Sequence, residues 1–303
     1  MDNYQKELLK NKFDDIQIFN GPLDNKNINQ VLDAEILVSR PKGIDLKFDN
    51  VVLSKFKKLK FICSMSTGFD HIDLDYCNKN EIVVSNVPSY AESSVAEQTF
   101  ALILAISRKI PQSIKTLSNR NNSNHLTGFD LKGKTMGVIG SGKIGLEVIK
   151  IAKGFGMKVI AYDVVKNENA RKELDFEYIE LDDLLRVSEI VSIHAPYNKH
   201  TFHLLNKDNL AIIKKGAVMI NTSRGELIDS KALYSSLCSG KISFAGLDVL
   251  ERDSRYNQKF LKMKNVFVTP HNSANTIESK KRVLDETIEN ISEFIKGRKR
   301  NIL

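Results

Sequence analysis

The sequence predicts an α/β protein with two doubly wound parallel sheets. Short apolar runs rich in β-branched residues recur along the 303 residues, and helix-patterned segments separate them, the alternation that βαβ units produce. One long segment, apolar on nearly every side, divides these runs into a shorter and a longer series. At 42% hydrophobic content the chain can fill a core for each of two domains.

The first series contains four candidate strands: IQIF (Ile16–Phe19), AEILVS (Ala34–Ser39), KFICSM (Lys60–Met65) and IVVSNV (Ile82–Val87). Helical patterns such as VVLSKFKKL (Val51–Leu59) lie between them, which makes one small doubly wound domain. SSVAEQTFALILAISRKI (Ser93–Ile110) follows; its serine start and all-round apolar pattern predict a long, mostly buried helix that links two domains. The polar stretch SNRNNSNHLTG (Ser118–Gly128) reads as a loop. A second series then runs through TMGVIG, KVIAYD, EIVSIHA, AVMINT, FAGLDV and NVFVTP and forms the larger domain. The last segment, Asn275–Gly297, has helical periodicity and is too long for a loop, so it is expected to return to the first domain.

A net charge of +8 invites a nucleic-acid reading, yet the lysines are scattered between the apolar positions of ordinary elements. The one basic cluster, KGRKR (Lys296–Arg300), reads as a frayed tail. Neither nucleic acid nor membrane is expected as a partner, because no apolar run is long enough to cross a bilayer and the N-terminal stretch lacks a signal-peptide core. Three cysteines, Cys63, Cys77 and Cys238, have no metal-ligand spacing, which points to no metal site and to a reducing cytoplasm. His71, His194, His200 and His203 read as structural or solvated.

GVIGSGKIG places Gly140, Gly142 and Gly145 in a GxGxxG pattern directly after an apolar strand and at the start of a helix pattern. The first glycine permits a tight turn, the second lets a pyrophosphate approach the backbone, and the third lets helix and strand pack closely. The next strand ends in Asp163, about 20 residues on, where an acid accepts hydrogen bonds from ribose hydroxyls. That acid repels a ribose phosphate, so NAD is favoured over NADP, although Lys166 and Arg171 stand nearby.

Three further strand ends carry groups suited to 2-oxo acid chemistry. Arg224 follows one, the carboxylates of LDVLERD (Asp248, Glu251 and Asp253) follow another, and His271 follows a third. An arginine holds a carboxylate in bidentate fashion, a histidine donates a proton to a carbonyl, and an acid orients that histidine.

With these residues in place, the sequence resembles the D-isomer-specific 2-hydroxyacid dehydrogenase family over nearly its whole length. STGFDHIDLD, NVPSYAESSVAEQTFALIL, GVIGSGKIG with Asp163, SIHAPYNKHTFHLLN, GAVMINTSRGELID, GLDVLERD and TPHNSANT all occur in the family's order. The resemblance implies a Rossmann NAD domain over residues 93–274, inserted into a flavodoxin-like substrate domain made of 1–92 and 275–303, with the active site in the cleft. It assigns Arg224 to the substrate carboxylate, His271 to general acid/base work, and the backbone around Thr67 and Gly68 to a second carboxylate grip, with Tyr90 facing substrate. It places Ser141, Gly142, Lys143 and Ile144 near the pyrophosphate, Asp163 at the ribose, Pro196 beside the adenine, and Thr222 and Asp248 towards the nicotinamide. The acid that partners the histidine falls on Asp253, where the family usually has glutamate, and Glu251 falls on a commonly acidic position without that role.

Within the family, GFDHIDLDYC and AYDVVK look closest to D-lactate dehydrogenases, which favours pyruvate. Ala274 stands where those enzymes usually carry a large aromatic, so glyoxylate and hydroxypyruvate stay open as alternatives. Arg40 and Lys42 fall near a loop that contacts substrate in 3-phosphoglycerate dehydrogenases, a further alternative. A rival from another class is an NADH-sensing interaction protein, since the C-terminal-binding corepressors share these features. A homodimer is implied, joined through the NAD domains.

Overall fold

The computed structural model describes residues 3–13, 15–18, 23–24, 26–39, 46–118 and 126–303. Arg40 and Lys42 lie outside these residues, as do 119–125 of the predicted loop. The chain divides into two compact units, Met1–Tyr90 with Thr276–Leu303, and Ala91–Asn275.

In the first unit, β1 (Ile36–Ser39), β2 (Phe61–Ser64) and β3 (Val83–Ser85) form a parallel sheet in that order. One face packs on Leu53, Ile72 and Ile82. The other presents Phe61 and Cys63 to Ile291, and the Phe294 ring stacks on Phe61 at 4.3 Å. The helix Ile277–Ile295 therefore belongs here, started by a capping box of Thr276 and Ser279. Two sequence expectations fail. Ile16–Ile18 form no strand; Ile16 and Ile18 pack as side chains beside Leu9 and Met65, an apolar alternation that a loop satisfies as well as a strand. Helix in Val51–Leu59 stops at Leu53, capped by Asp49 at its start.

The basic C-terminal segment is docked rather than frayed. Arg300 pairs with Glu286 at 2.8 Å, Lys296 and Arg298 pair with Glu293, Ile302 bridges to Ser85, and the Leu303 N–H donates to the Val84 carbonyl. These contacts cover the open edge of β3.

The second unit holds a seven-stranded, all-parallel sheet. Its strands are β4 (Thr135–Ile139), β5 (Lys158–Tyr162), β6 (Glu177–Tyr178), β7 (Ile190–Ile193), β8 (Ala217–Asn221), β9 (Ile242–Leu247) and β10 (Val266–Val268). The order β10-β9-β8-β7-β4-β5-β6 places a topological switch between β4 and β7. Alternate residues feed opposite cores: Met136, Val138, Ile190, Val218 and Ile220 on one face; Ile139, Val191, Ile193 and Met219 on the other. Two residues of β6 are too few to leave a pattern in the sequence. The long helix spans Glu92–Ser107, with Ala96, Thr99, Phe100, Ile103 and Ile106 buried. Its N-cap is Ala91, without a side-chain cap, and Ser93 lies inside the first turn instead of starting the helix.

Candidate active site

Gly140, at the end of β4, has a φ of +93°, and a Cβ there would lie 2.6 Å from the Ala195 nitrogen on the neighbouring chain after β7. At Gly145 a Cβ would meet the Gly140 carbonyl oxygen at 2.0 Å, so helix Lys143–Gly154 seats against the turn only through glycine. Gly142 faces open space, with nothing within 4 Å of a Cβ, and as N-cap it brings no side chain over the helix end. A backbone cradle at the positive end of a helix dipole fits a pyrophosphate. Lys143 is exposed and Ile144 half-buried in the first turn. Ser141 serves the acid: its N–H and hydroxyl donate to Asp163 Oδ2 at 2.6 and 3.0 Å, while the Val165 N–H donates to Oδ1 at 3.0 Å. Tyr178, on the overlooked β6, donates to Ser141 Oγ at 2.8 Å and accepts from the Asn167 N–H at 3.0 Å.

Because β8, β9 and β10 are adjacent and parallel, the residues after them share one sheet edge. Asp248, 1% exposed, is the organising group. Its carboxylate accepts from the Asn272 and Ser273 N–H groups, both at 2.8 Å, and from the Thr269 and Ser273 hydroxyls. The His271 N–H donates to the Asp248 carbonyl at 2.8 Å. The turn carrying His271 is thus built around Asp248, and it holds His271 at a left-handed φ of 52°, uncommon for a side-chain-bearing residue.

Arg224 precedes the short 3-10 turn Gly225–Leu227, and its Nη1 donates to the Ser223 carbonyl at 2.9 Å. The next residue, Gly225, explains how two loops come together: a Cβ there would sit 2.0 Å from the Leu250 carbonyl carbon. Glu251 is engaged elsewhere than at His271, accepting from His203 Nε2 at 2.7 Å and from the Ser230 N–H at 3.3 Å. Asp253 is exposed at φ 56°, and among the described residues it makes no ion pair or side-chain hydrogen bond. His203 is therefore not a solvated bystander; it fastens the β9 loop, a pairing that 48 positions of separation hid from sequence reading.

Of the other expected cofactor residues, Pro196 is exposed just past β7 and its carbonyl accepts from Thr201 Oγ1 at 2.7 Å. Thr222 is buried, and its hydroxyl meets Thr99 Oγ1 at 3.0 Å. His194 follows β7, and burial lowers its imidazole to about 3, which keeps it neutral. Among the described residues no group of three His, Cys, Asp or Glu side chains is arranged to hold a metal.

In the first unit, Thr67 and Gly68 follow β2 on the turn Ser66–Gly68. Neither backbone N–H has a hydrogen-bond partner among the described residues. All three carbonyls of the turn are held: the Val87 N–H donates to the Ser66 oxygen at 3.0 Å, Asn86 Nδ2 to the Thr67 oxygen at 2.8 Å, and the Ser64 and Ser66 hydroxyls to the Gly68 oxygen at 2.9 and 2.6 Å. Two successive N–H groups left open on a turn are donors suited to an anion. Tyr90 packs half-buried near Val87 and Val283, and its carbonyl accepts from Arg282 Nε at 2.8 Å.

Residues 100–273 match the model of the D-isomer specific 2-hydroxyacid dehydrogenase, NAD binding domain. A glyoxylate reductase of Thermococcus litoralis is 34% identical over 297 residues, covering 94% of this chain and 89% of that protein. A hydroxypyruvate reductase of Thermotoga maritima is 36% identical over 296 residues, covering 96% and 94%. Among solved structures, D-lactate dehydrogenase of Aquifex aeolicus, complexed with NAD and lactic acid, superimposes with a TM-score of 0.89 at 36% identity, covering 97% of this chain and 92% of that one.

Proposed function

The chain belongs to the D-isomer-specific 2-hydroxyacid dehydrogenase family and is an NAD-dependent oxidoreductase of 2-hydroxy acids, and from that premise we propose that it reduces a small, unbranched 2-oxo acid, hydroxypyruvate or glyoxylate before pyruvate. The observation that carries the reading is the His271 turn, fixed by Asp248 beside Arg224 at one sheet edge. Arg224 holds the substrate carboxylate through its guanidinium fork and polarises the keto oxygen. In the first unit, the N–H groups of Thr67 and Gly68 are the donors proposed for a substrate carboxylate. When bound, NADH supplies the hydride that reaches the keto carbon. His271 gives a proton to the keto oxygen in reduction and takes it back in oxidation. We assign the task of orienting His271 to Asp253, whose exposed carboxylate makes no side-chain hydrogen bond among the described residues and must turn to His271 to perform it; Glu251 is committed to His203.

Ala274, small beside the His271 turn, leaves room for the hydroxymethyl group of hydroxypyruvate, and the likeness to glyoxylate and hydroxypyruvate reductases supports both acids over pyruvate. The pyruvate reading is supported by GFDHIDLDYC and AYDVVK and by the likeness to the Aquifex aeolicus enzyme crystallised with lactic acid. NADH oxidation with glyoxylate, hydroxypyruvate, pyruvate, 2-oxobutyrate and phosphohydroxypyruvate decides between them. One strong substrate is expected, with Asp253→Asn moving the alkaline limb of the pH–rate profile for reduction to lower pH while Glu251→Gln leaves it in place. Tight NADH binding without turnover on any of the five would instead favour the NADH-sensing interaction protein.

The proposed assembly is a cytoplasmic homodimer. Its support is the helix Ile110–Ser118, which exposes Ile110, Ile114 and Leu117, the last by 78%. Leu117→Asp should yield a monomer by light scattering.

A further inference from the structure

We infer that the C-terminal segment aims the substrate-binding turn: Asn301, through Asn290 and Asn86, positions the Gly68 N–H that receives the substrate carboxylate. The inference rests on the proposed carboxylate grip and adds the residues that set it.

One chain of donors links these residues. Asn301 Nδ2 donates to Asn290 Oδ1 at 2.9 Å, which fixes the orientation of the Asn290 amide. Asn290, 1% exposed, can then donate through Nδ2 only to the Asn86 carbonyl, at 2.9 Å, and to Cys63 Sγ. Turning that amide over would set oxygen against oxygen at Asn86 and nitrogen against nitrogen at Asn301. The Asn86 backbone is gripped from its other side as well, since its N–H donates to the Asn301 carbonyl at 3.2 Å. With its backbone held at both ends, Asn86 delivers Nδ2 to the Thr67 carbonyl at 2.8 Å.

The last contact matters because a peptide unit is planar and trans. Fixing the direction of the Thr67 C=O fixes the Gly68 N–H in the opposite direction. Asn86 therefore points that donor without touching it, leaving the N–H open. Thr67 Oγ1, donating to the Val87 carbonyl at 2.9 Å, pins the same residue from its side chain. Asn301 itself sits at φ 50°, a left-handed conformation that asparagine tolerates and that gives its carbonyl and its side chain simultaneous access to Asn86 and Asn290. Asn301, Asn290 and Asn86 are positioning residues; none contributes an atom to the reaction.

The test is steady-state kinetics of the full-length protein with hydroxypyruvate and glyoxylate. Asn301→Gly keeps the positive φ and deletes only the side-chain donor; Asn301→Asp replaces that donor with an acceptor facing Asn290 Oδ1. In both, the KM for the 2-oxo acid should rise about tenfold, the effect of one lost hydrogen bond, with kcat and the KM for NADH unchanged. Arg300→Ala, which removes the neighbouring pair with Glu286 but not the relay, should leave all three constants in place. Gly68→Pro deletes the proposed donor outright and checks the grip by itself. A raised oxo-acid KM in Gly68→Pro with an unchanged one in both Asn301 variants overturns the relay alone. Unchanged values in all three overturn the grip and the relay with it. An equal rise in Arg300→Ala, or a parallel rise in the KM for NADH, assigns the effect to loosened packing and overturns the relay.

Discussion

The Gly140–Gly145 turn of the second unit and the Ser66–Gly68 turn of the first are the two proposed anion sites, and they are held in opposite ways. The nucleotide turn is held by omission. Its backbone reaches the chain after β7 and the following helix only because two side chains are missing, and its polar supports include Asp163, 22 positions from Ser141, and Tyr178. The substrate turn is held by addition. Asparagine and serine side chains supply its supports, and one link behind them joins residues 204 positions apart. A turn of the first kind is vulnerable to any added atom, and one of the second kind to any lost donor.

The largest expected effect comes from adding an atom. Gly145→Ala drives a methyl into the Gly140 carbonyl, and chemical denaturation should show a loss on the order of 3 kcal/mol. Next comes the removal of an acceptor: Asp248→Asn turns one carboxylate oxygen into a donor facing donors, at a cost of about 2–3 kcal/mol, and kcat should fall as the His271 turn loosens. If stability drops and kcat does not, Asp248 supports the fold alone.

A third effect depends on pH. Burial holds His194 near 3, below its ordinary 6.5, so between those values the unfolded chain binds a proton that the folded chain does not, and stability falls as pH falls. From pH 6.5 to 5 the loss should be about 2 kcal/mol, at roughly 1.36 per pH unit. Urea titrations should show a shallower pH slope in His194→Gln; equal slopes would remove His194 as the cause.

Gly142→Ala isolates the ligand side of the comparison. No neighbour lies within reach of the new methyl, so stability should change by less than about 0.5 kcal/mol while the NADH Kd rises at least about tenfold by calorimetry. Smallest of all, Arg300→Ala removes a solvent-washed ion pair and should shift stability by less than about 1 kcal/mol.

The same contrast explains what could be read from the sequence. Glycines whose absence of side chain is the mechanism announce themselves as a spacing, and so Gly140, Gly142, Gly145 and Asp163 were legible along with the strands that carry them. Arg224, Asp248 and His271 were legible as strand ends and as resemblance. His203 with Glu251, and the asparagines behind Thr67, were not, because a side-chain hydrogen bond between distant positions leaves no periodicity. Strand β6 and the missing strand at Ile16–Ile18 mark the limit of pattern reading: two residues are too few to register, and two isoleucines in alternation fit a packed loop equally well. The docked tail escaped for a related reason, since its charge suggested solvent while its acids lay on the preceding helix.

The stacking of Phe294 on Phe61 also fixes an order of events during synthesis. Residues 1–90 leave the ribosome with β2 already made, but the helix that covers Phe61 and Cys63 follows only after the entire second unit. At ordinary elongation rates that interval is about 10–40 seconds. For that time an apolar sheet face stands without its cover, beside a β3 edge whose closing residues, Ile302 and Leu303, are made later still. The second unit, continuous in sequence, can fold first; the first unit must wait, and protecting it during the wait becomes a requirement of the cell rather than of the fold.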